Sequence, residues 1–176
     1  MMRHTSPHAL PKAKKSLGQH FLVDQHYIAR IVAAIRPQAG ERMVEIGPGP
    51  GALTRPLLEM LEHLDVVEVD REMVARLQAE FPAKRLTVHA VDALLYDFSG
   101  LGPALRVVGN LPYNISSPLL FHLAASAESI VDMTFMLQKE VVDRMAAAPD
   151  TPDYGRLSVM LQWRFRVSKL FNVPPG

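Results

Sequence analysis

The apolar positions along the chain follow two periods in turn. Ile28, Ile31, Val32 and Ile35 recur at i, i+3, i+4 and i+7, one helix face, with Asp24 placed to cap its start and Pro37 and Gly40 to end it. Met43, Val44 and Ile46 predict a short buried strand that breaks on Gly47-Pro48-Gly49-Pro50-Gly51. A helix from about Ala52 carries Leu53, Leu57, Leu58 and Leu61, and tolerates Pro56 only in or near its first turn. Further strands are predicted at 64–69, 86–91, 105–108 and 130–136, with helices at 71–80, 118–125 and 139–147. After a polar loop at 149–155, residues 157–173 read as a helix followed by a strand over 165–173. Strands alternating with helices at this spacing predict βαβ units: a doubly wound, Rossmann-like α/β fold with a mostly parallel sheet and helices on both faces.

Composition narrows the class. The 176 residues suit one domain, and a chain 48% apolar and 21% charged can bury a continuous core, which excludes disorder throughout. Zero cysteines exclude a disulfide framework and thiolate metal sites. No apolar run reaches the roughly 18–20 residues that span a bilayer, and the N-terminal stretch holds His, Pro and Lys where a signal peptide needs apolar residues. A cytoplasmic protein without membrane association is expected. His4 and His8 have helical spacing but lie in the proline-containing leader, so no metal site is expected.

Net charge is +1, from 19 Lys+Arg against 18 Asp+Glu, so bulk charge selects no partner. Its distribution is uneven. Arg3, Lys12, Lys14 and Lys15 face no acid before Asp24, and Arg156, Arg164, Arg166 and Lys169 face none after Asp153. Lys12, Lys14, Lys15 and Arg156 are the candidate contacts to a phosphate backbone; the alternative is a solubilising tail and an ordinary solvated face. Residues 1–14 read as a flexible basic leader and 15–176 as the domain.

The candidate chemistry lies at strand ends. The loop Glu45-Ile-Gly47-Pro-Gly49-Pro-Gly51 has G-x-G-x-G spacing rather than the G-x-G-x-x-G of dinucleotide binding, carries two prolines and lacks a Walker lysine. It suits a nucleoside ligand without a pyrophosphate, such as S-adenosyl-L-methionine, and disfavours a dinucleotide oxidoreductase. Glu68, 21 residues beyond Gly47, can accept both ribose hydroxyls, with Asp70 as the alternative. Asp92 can accept a hydrogen bond from the adenine amine or cap a helix. Asn110-Leu111-Pro112-Tyr113 offers amide and carbonyl acceptors for an exocyclic amine and a ring on which a base can stack.

Together with Gly18-Gln19-His20-Phe21-Leu22, Asn114-Ile-Ser-Ser-Pro118, Leu137-Gln-Lys-Glu140 and Tyr154-Gly-Arg-Leu-Ser158, these motifs resemble the small-subunit (16S) rRNA adenine N6,N6-dimethyltransferases, from about Lys14 onward. The macrolide-resistance rRNA methyltransferases are cousins that usually carry isoleucine at the position of Leu111. The resemblance implies the class I S-adenosylmethionine-dependent methyltransferase fold. It also implies that Gln19, His20, Phe21 and Leu22 close over the cofactor, that Glu45, Gly47, Gly49 and Gly51 lie at its methionine part, and that Glu68 and Asp92 bind ribose and adenine. Asn110, Leu111, Pro112 and Tyr113 match the target-adenosine pocket, with Asn110 also against the cofactor. His20 replaces the asparagine common there. The implied reaction is dimethylation of two adjacent adenosines in the 3'-terminal hairpin loop of small-subunit rRNA, in an immature ribosomal subunit, without a metal.

Family members continue past the position of Gly176 through another strand, inserted antiparallel, and a small helical domain. The 165–173 strand is therefore expected to lack its neighbour, and cofactor binding to survive more readily than rRNA methylation. A monomer is expected, with association possible through that unpaired strand. A non-catalytic rRNA-binding assembly factor is the competing class.

Overall fold

A computed structural model describes residues 10–14 and 21–175; Lys15, Gln19 and His20 lie outside the described residues. Among the described residues five strands form one sheet: β1 (Arg42–Ile46), β2 (Leu64–Val67), β3 (Leu86–His89), β4 (Leu105–Asn110) and β5 (Ile130–Met136). Every pairing is parallel, and the order is β3-β2-β1-β4-β5. The chain moves outward from β1 to β3, then returns to the other side of β1 to begin β4. Strand order therefore reverses between β1 and β4, the place where doubly wound sheets open a ligand crevice.

The period-3.6 stripe becomes α1 (Gln25–Ile35), capped as expected by the Asp24 side chain, which accepts from the His26 N–H at 2.9 Å. Ile28, Ile31 and Ile35 are buried, each worth roughly 1.5–3 kcal/mol of apolar transfer. Helices α2 (Thr54–Met60), α3 (Arg71–Glu80), α4 (Ser116–Ala124), α5 (Lys139–Met145) and α6 (Arg156–Arg164) follow, and Pro56 sits in the first turn of α2, where its missing N–H costs nothing.

Alternation along the strands sorts the core into two layers. Met43, Leu64, Val66 and Val108 face α1, α2 and α3, whereas Val44, Ile46, Val67, Leu105 and Val107 face α4 and the turns near Ala93 and Phe98. Helices on both faces of a parallel sheet follow, as the apolar strand runs require.

Two expectations about strands are corrected. The second strand ends at Val67 instead of Val69, because Asp70 turns to cap α3 by accepting from the Glu72 N–H at 2.9 Å. The strand over 165–173 is absent: α6 ends at Arg164 and 165–175 is irregular. Phe165 and Val167 stay half-buried while Arg166 and Ser168 are exposed, so the alternation is real, but no neighbouring strand pairs with it among the described residues. The strand through which association was possible is therefore not formed.

Candidate functional site

A cleft partly open to solvent lies at the carboxyl ends of β1, β2 and β4. Phe21, Leu22, Glu45, Gly47, Gly49 and Glu68 line it, and Asn110, Leu111 and Pro112 close the other side. Nine sequence-predicted residues thus meet in one place. Gly51, Asp92 and Tyr113 are not among the lining residues.

The loop after β1 is shaped by backbone geometry that only glycine adopts cheaply. Gly47, Gly49 and Gly51 have φ of 66°, 55° and 97°. At Gly49 a Cβ would come 3.4 Å from the Phe21 ring, so the missing side chain also leaves room for the aromatic. Gly47 donates to the Val67 carbonyl at 2.9 Å, which ties the loop to the end of β2.

Glu68, on the residue after β2, holds that tie. Its two carboxylate oxygens accept from the Gly49 N–H at 3.1 Å and the Asp70 N–H at 3.0 Å. Burial pushes the Glu68 pKa up, and the backbone N–H groups of Asp70, Gly49 and Val69 partly offset this. Each oxygen keeps further acceptor capacity toward the cleft. Glu45, on β1, faces the α2 layer by alternation with Met43 and accepts from the Thr54 hydroxyl at 2.7 Å. It is fully buried, and burial raises its pKa from 4.5 to about 7, opposed by the Thr54 bond and aided by the nearby Glu68 charge.

The opposite wall is neutral. β4 carries Gly109 beside Ile46, where a Cβ would collide with the Ile46 carbonyl, so only glycine lets β4 run close enough to bring Asn110 to the loop. The Leu111 N–H donates to the Met136 carbonyl at 3.2 Å, and the Ser116 hydroxyl donates to the Pro112 and Tyr113 carbonyls at 3.0 and 3.2 Å. The Leu111 carbonyl has no donor among the described residues. Tyr113 stands at the rim, 46% exposed.

Several expected residues sit elsewhere. Asp92 caps the short turn Ala93–Leu95 by accepting from the Leu94 N–H at 2.9 Å, which is the helix-cap alternative. Asp70, the alternative ribose acid, caps α3 and pairs with Lys14 at 2.9 Å, and Lys14 also lies 3.6 Å from Glu72. Lys12 is exposed, and the Arg156 guanidinium lies 5.1 Å from the Phe121 ring centroid at the start of α6. Sequence reasoning passed over Thr54, which holds Glu45, and Arg55, which donates to the Pro50 carbonyl at 2.8 Å and pairs with Glu80. A threonine and an arginine in a first helical turn look like ordinary surface residues until tertiary contacts are known.

A family model described as ribosomal RNA adenine dimethylase matches residues 10–176. The chain belongs to this family. Its fold is accordingly the Rossmann-like class I methyltransferase fold. The ribosomal RNA small subunit methyltransferase A of Aromatoleum aromaticum is 62% identical over 165 residues, which cover 94% of this chain and 62% of that protein. Among solved structures, a dimethyladenosine transferase from Plasmodium falciparum superimposes with a TM-score of 0.70 at 29% identity, over 81% of this chain and 52% of its own. The 23S rRNA methyltransferase ErmE gives 0.66 at 26% identity, over 81% and 55%. The chain thus spans 62% of the length of the curated family relative.

Proposed function

We propose that this chain binds S-adenosyl-L-methionine in the cleft and forms the catalytic part of a small-subunit rRNA adenine N6,N6-dimethyltransferase. One observation carries the reading: the glycine loop, the buried acid Glu68 and the Asn110-Leu111-Pro112 turn line a single cleft at the switch point of the sheet. The residues fit the cofactor. Glu68 has spare lone pairs for two ribose hydroxyls, and Gly47 and Gly49 clear space for its amino-acid part, with Phe21 above the loop. When bound, the cofactor supplies an activated methyl group on a positively charged sulfur. Asp92 caps the turn after β3 through Oδ1, and its other carboxylate oxygen is the acceptor we propose for the adenine amine.

The chain's own residues would prepare the acceptor. An adenine amine has its lone pair delocalised into the ring. Accepting its two hydrogens at the Asn110 side-chain oxygen and the Leu111 carbonyl favours a pyramidal nitrogen with its lone pair free, while Tyr113 gives the base a stacking face. The work is positioning and electrostatic preorganisation. The substrate is proposed to be two adjacent adenosines in the 3'-terminal hairpin loop of small-subunit rRNA, in an immature subunit; 62% identity to a small-subunit enzyme against 26% to ErmE supports this over a large-subunit target.

Calorimetric titration with S-adenosyl-L-methionine tests the cofactor half, with Glu68→Ala and NAD as comparisons. Saturable binding that the substitution weakens and NAD does not reproduce is expected. Methyl transfer to undermethylated small subunits tests the rest; cofactor binding without any transfer would favour the assembly-factor reading.

A further inference from the structure

A second, widely open groove lies between the end of α5 and the end of α6. Ala146, Trp163, Arg164, Arg166 and Val167 are among the residues lining it. It arises from how α6 packs. Leu157, Ser158 and Leu161 face inward, where the two leucines join the layer formed by α4 and α5, so Val159, Met160 and Trp163 turn to solvent. The Gln162 amide donates to the Met145 and Ala147 carbonyls at 2.8 and 2.9 Å, which fixes α6 against the end of α5.

Trp163 is 76% exposed, an unusual position for the largest apolar side chain. The Arg164 guanidinium stands over the ring, 4.8 Å from its centroid, while most of the side chain stays accessible to solvent. Arg166 is exposed on the same wall. The other cations of this end are engaged: Lys169 pairs with Asp143 at 2.5 Å, and Arg156 lies over Phe121. No acid lies between Asp153 and Gly176, and among the described residues neither Arg164 nor Arg166 is in a salt bridge. A flat π face beside two guanidinium groups matches a single-stranded nucleic acid, with a base for the ring and phosphates for the cations. An apolar protein partner fits poorly, because docking on Trp163 would desolvate Arg164 without supplying an anion.

We propose that this groove is a second RNA contact, in which one base of a single-stranded segment stacks on Trp163 and its flanking phosphates meet Arg164 and Arg166. The choice of RNA as the nucleic acid rests on the function proposed above; the groove itself does not.

Trp163 is the one tryptophan in the chain, so its emission reports on this groove alone. The probe is an oligouridylate of about 12 nucleotides, within the span of single-strand sites, which contains no adenine for the Asn110 turn. The expected result is saturable quenching of Trp163. By anisotropy of a labelled oligouridylate, Trp163→Ala should lose about tenfold in affinity, and the Arg164→Ala/Arg166→Ala double variant should lower the log–log salt slope by about 1.4. Far-UV circular dichroism and urea unfolding of each variant check that it is folded. Bound RNA with unchanged emission, variants that bind like the parent, or self-association that buries Trp163 in sedimentation velocity would each overturn the proposal. Failure of cofactor binding with quenching intact would remove the proposed function and leave the groove standing.

Discussion

The two walls of the cleft are built on opposite principles. On the β1/β2 side, Glu45 and Glu68 are buried carboxyls held by the Thr54 hydroxyl and by the N–H groups of Gly49 and Asp70. On the β4 side, Asn110, Leu111 and Pro112 carry no charge, and the turn is pinned by a backbone bond to Met136 and by the Ser116 hydroxyl. The first wall is costly to ionise and rewards a ligand that brings donors or positive charge. The second is lined by neutral amide and carbonyl groups, which discriminate by hydrogen-bond geometry rather than by charge. Affinity for a cofactor and chemistry on a base are therefore expected to separate along this line.

The sharpest way to break that division is Asn110→Ala. Methyl transfer should fall by about 10²–10³-fold in single-turnover assays, with S-adenosyl-L-methionine affinity changed by less than about tenfold. Loss of both together would mean that the walls act as one.

Glu45 sharpens the charged side. Its folded pKa of about 7 lies above its ordinary 4.5, so between these values the folded protein keeps a proton that the unfolded chain releases. Its contribution to stability is full below pH 4.5 and is lost as pH rises through 7. Glu45→Gln should flatten the decline and be more stable than the parent at pH 8 by up to ~3 kcal/mol, measured as the difference between their urea-unfolding free energies from pH 4.5 to 8. Glu68→Ala removes acceptors for two hydroxyls and should weaken cofactor binding by about 10–100-fold in calorimetry. Gly49→Ala places a side chain at φ 55° and 3.4 Å from Phe21, and should cost about 1–2 kcal/mol in urea unfolding. Gly100→Ala, where a Cβ meets nothing within 4 Å, should change stability by less than about 0.5 kcal/mol.

The pattern of faces was legible along most of the chain. The α1 stripe, its Asp24 cap, the β1 loop and β5 appear where periodicity and turn residues put them, because each depends on neighbours within a few residues. The 165–173 segment kept its alternation but formed no strand, since a ladder needs a partner that local sequence cannot supply. Asp70 and Asp92 show the same limit at single residues. Both are strand-end acids like Glu68, yet each became a cap for the turn or helix that follows, because the short reach of aspartate suits an N–H two residues on.

From the sequence alone came the kind of molecule: a parallel sheet with a glycine-rich turn, an acid one strand later and an Asn-Leu-Pro-Tyr turn, all at strand ends. Backbone freedom at glycine, strand alternation and capping are local properties. The tertiary structure decided which of these groups meet. It reversed the strand order between β1 and β4, so that residues more than sixty apart, Gly47 and Asn110, share one cleft. It also buried Glu45 and Glu68 deeply enough to raise both pKa values. Desolvation and long-range juxtaposition depend on packing of the whole chain, and neither is written in any short stretch of it.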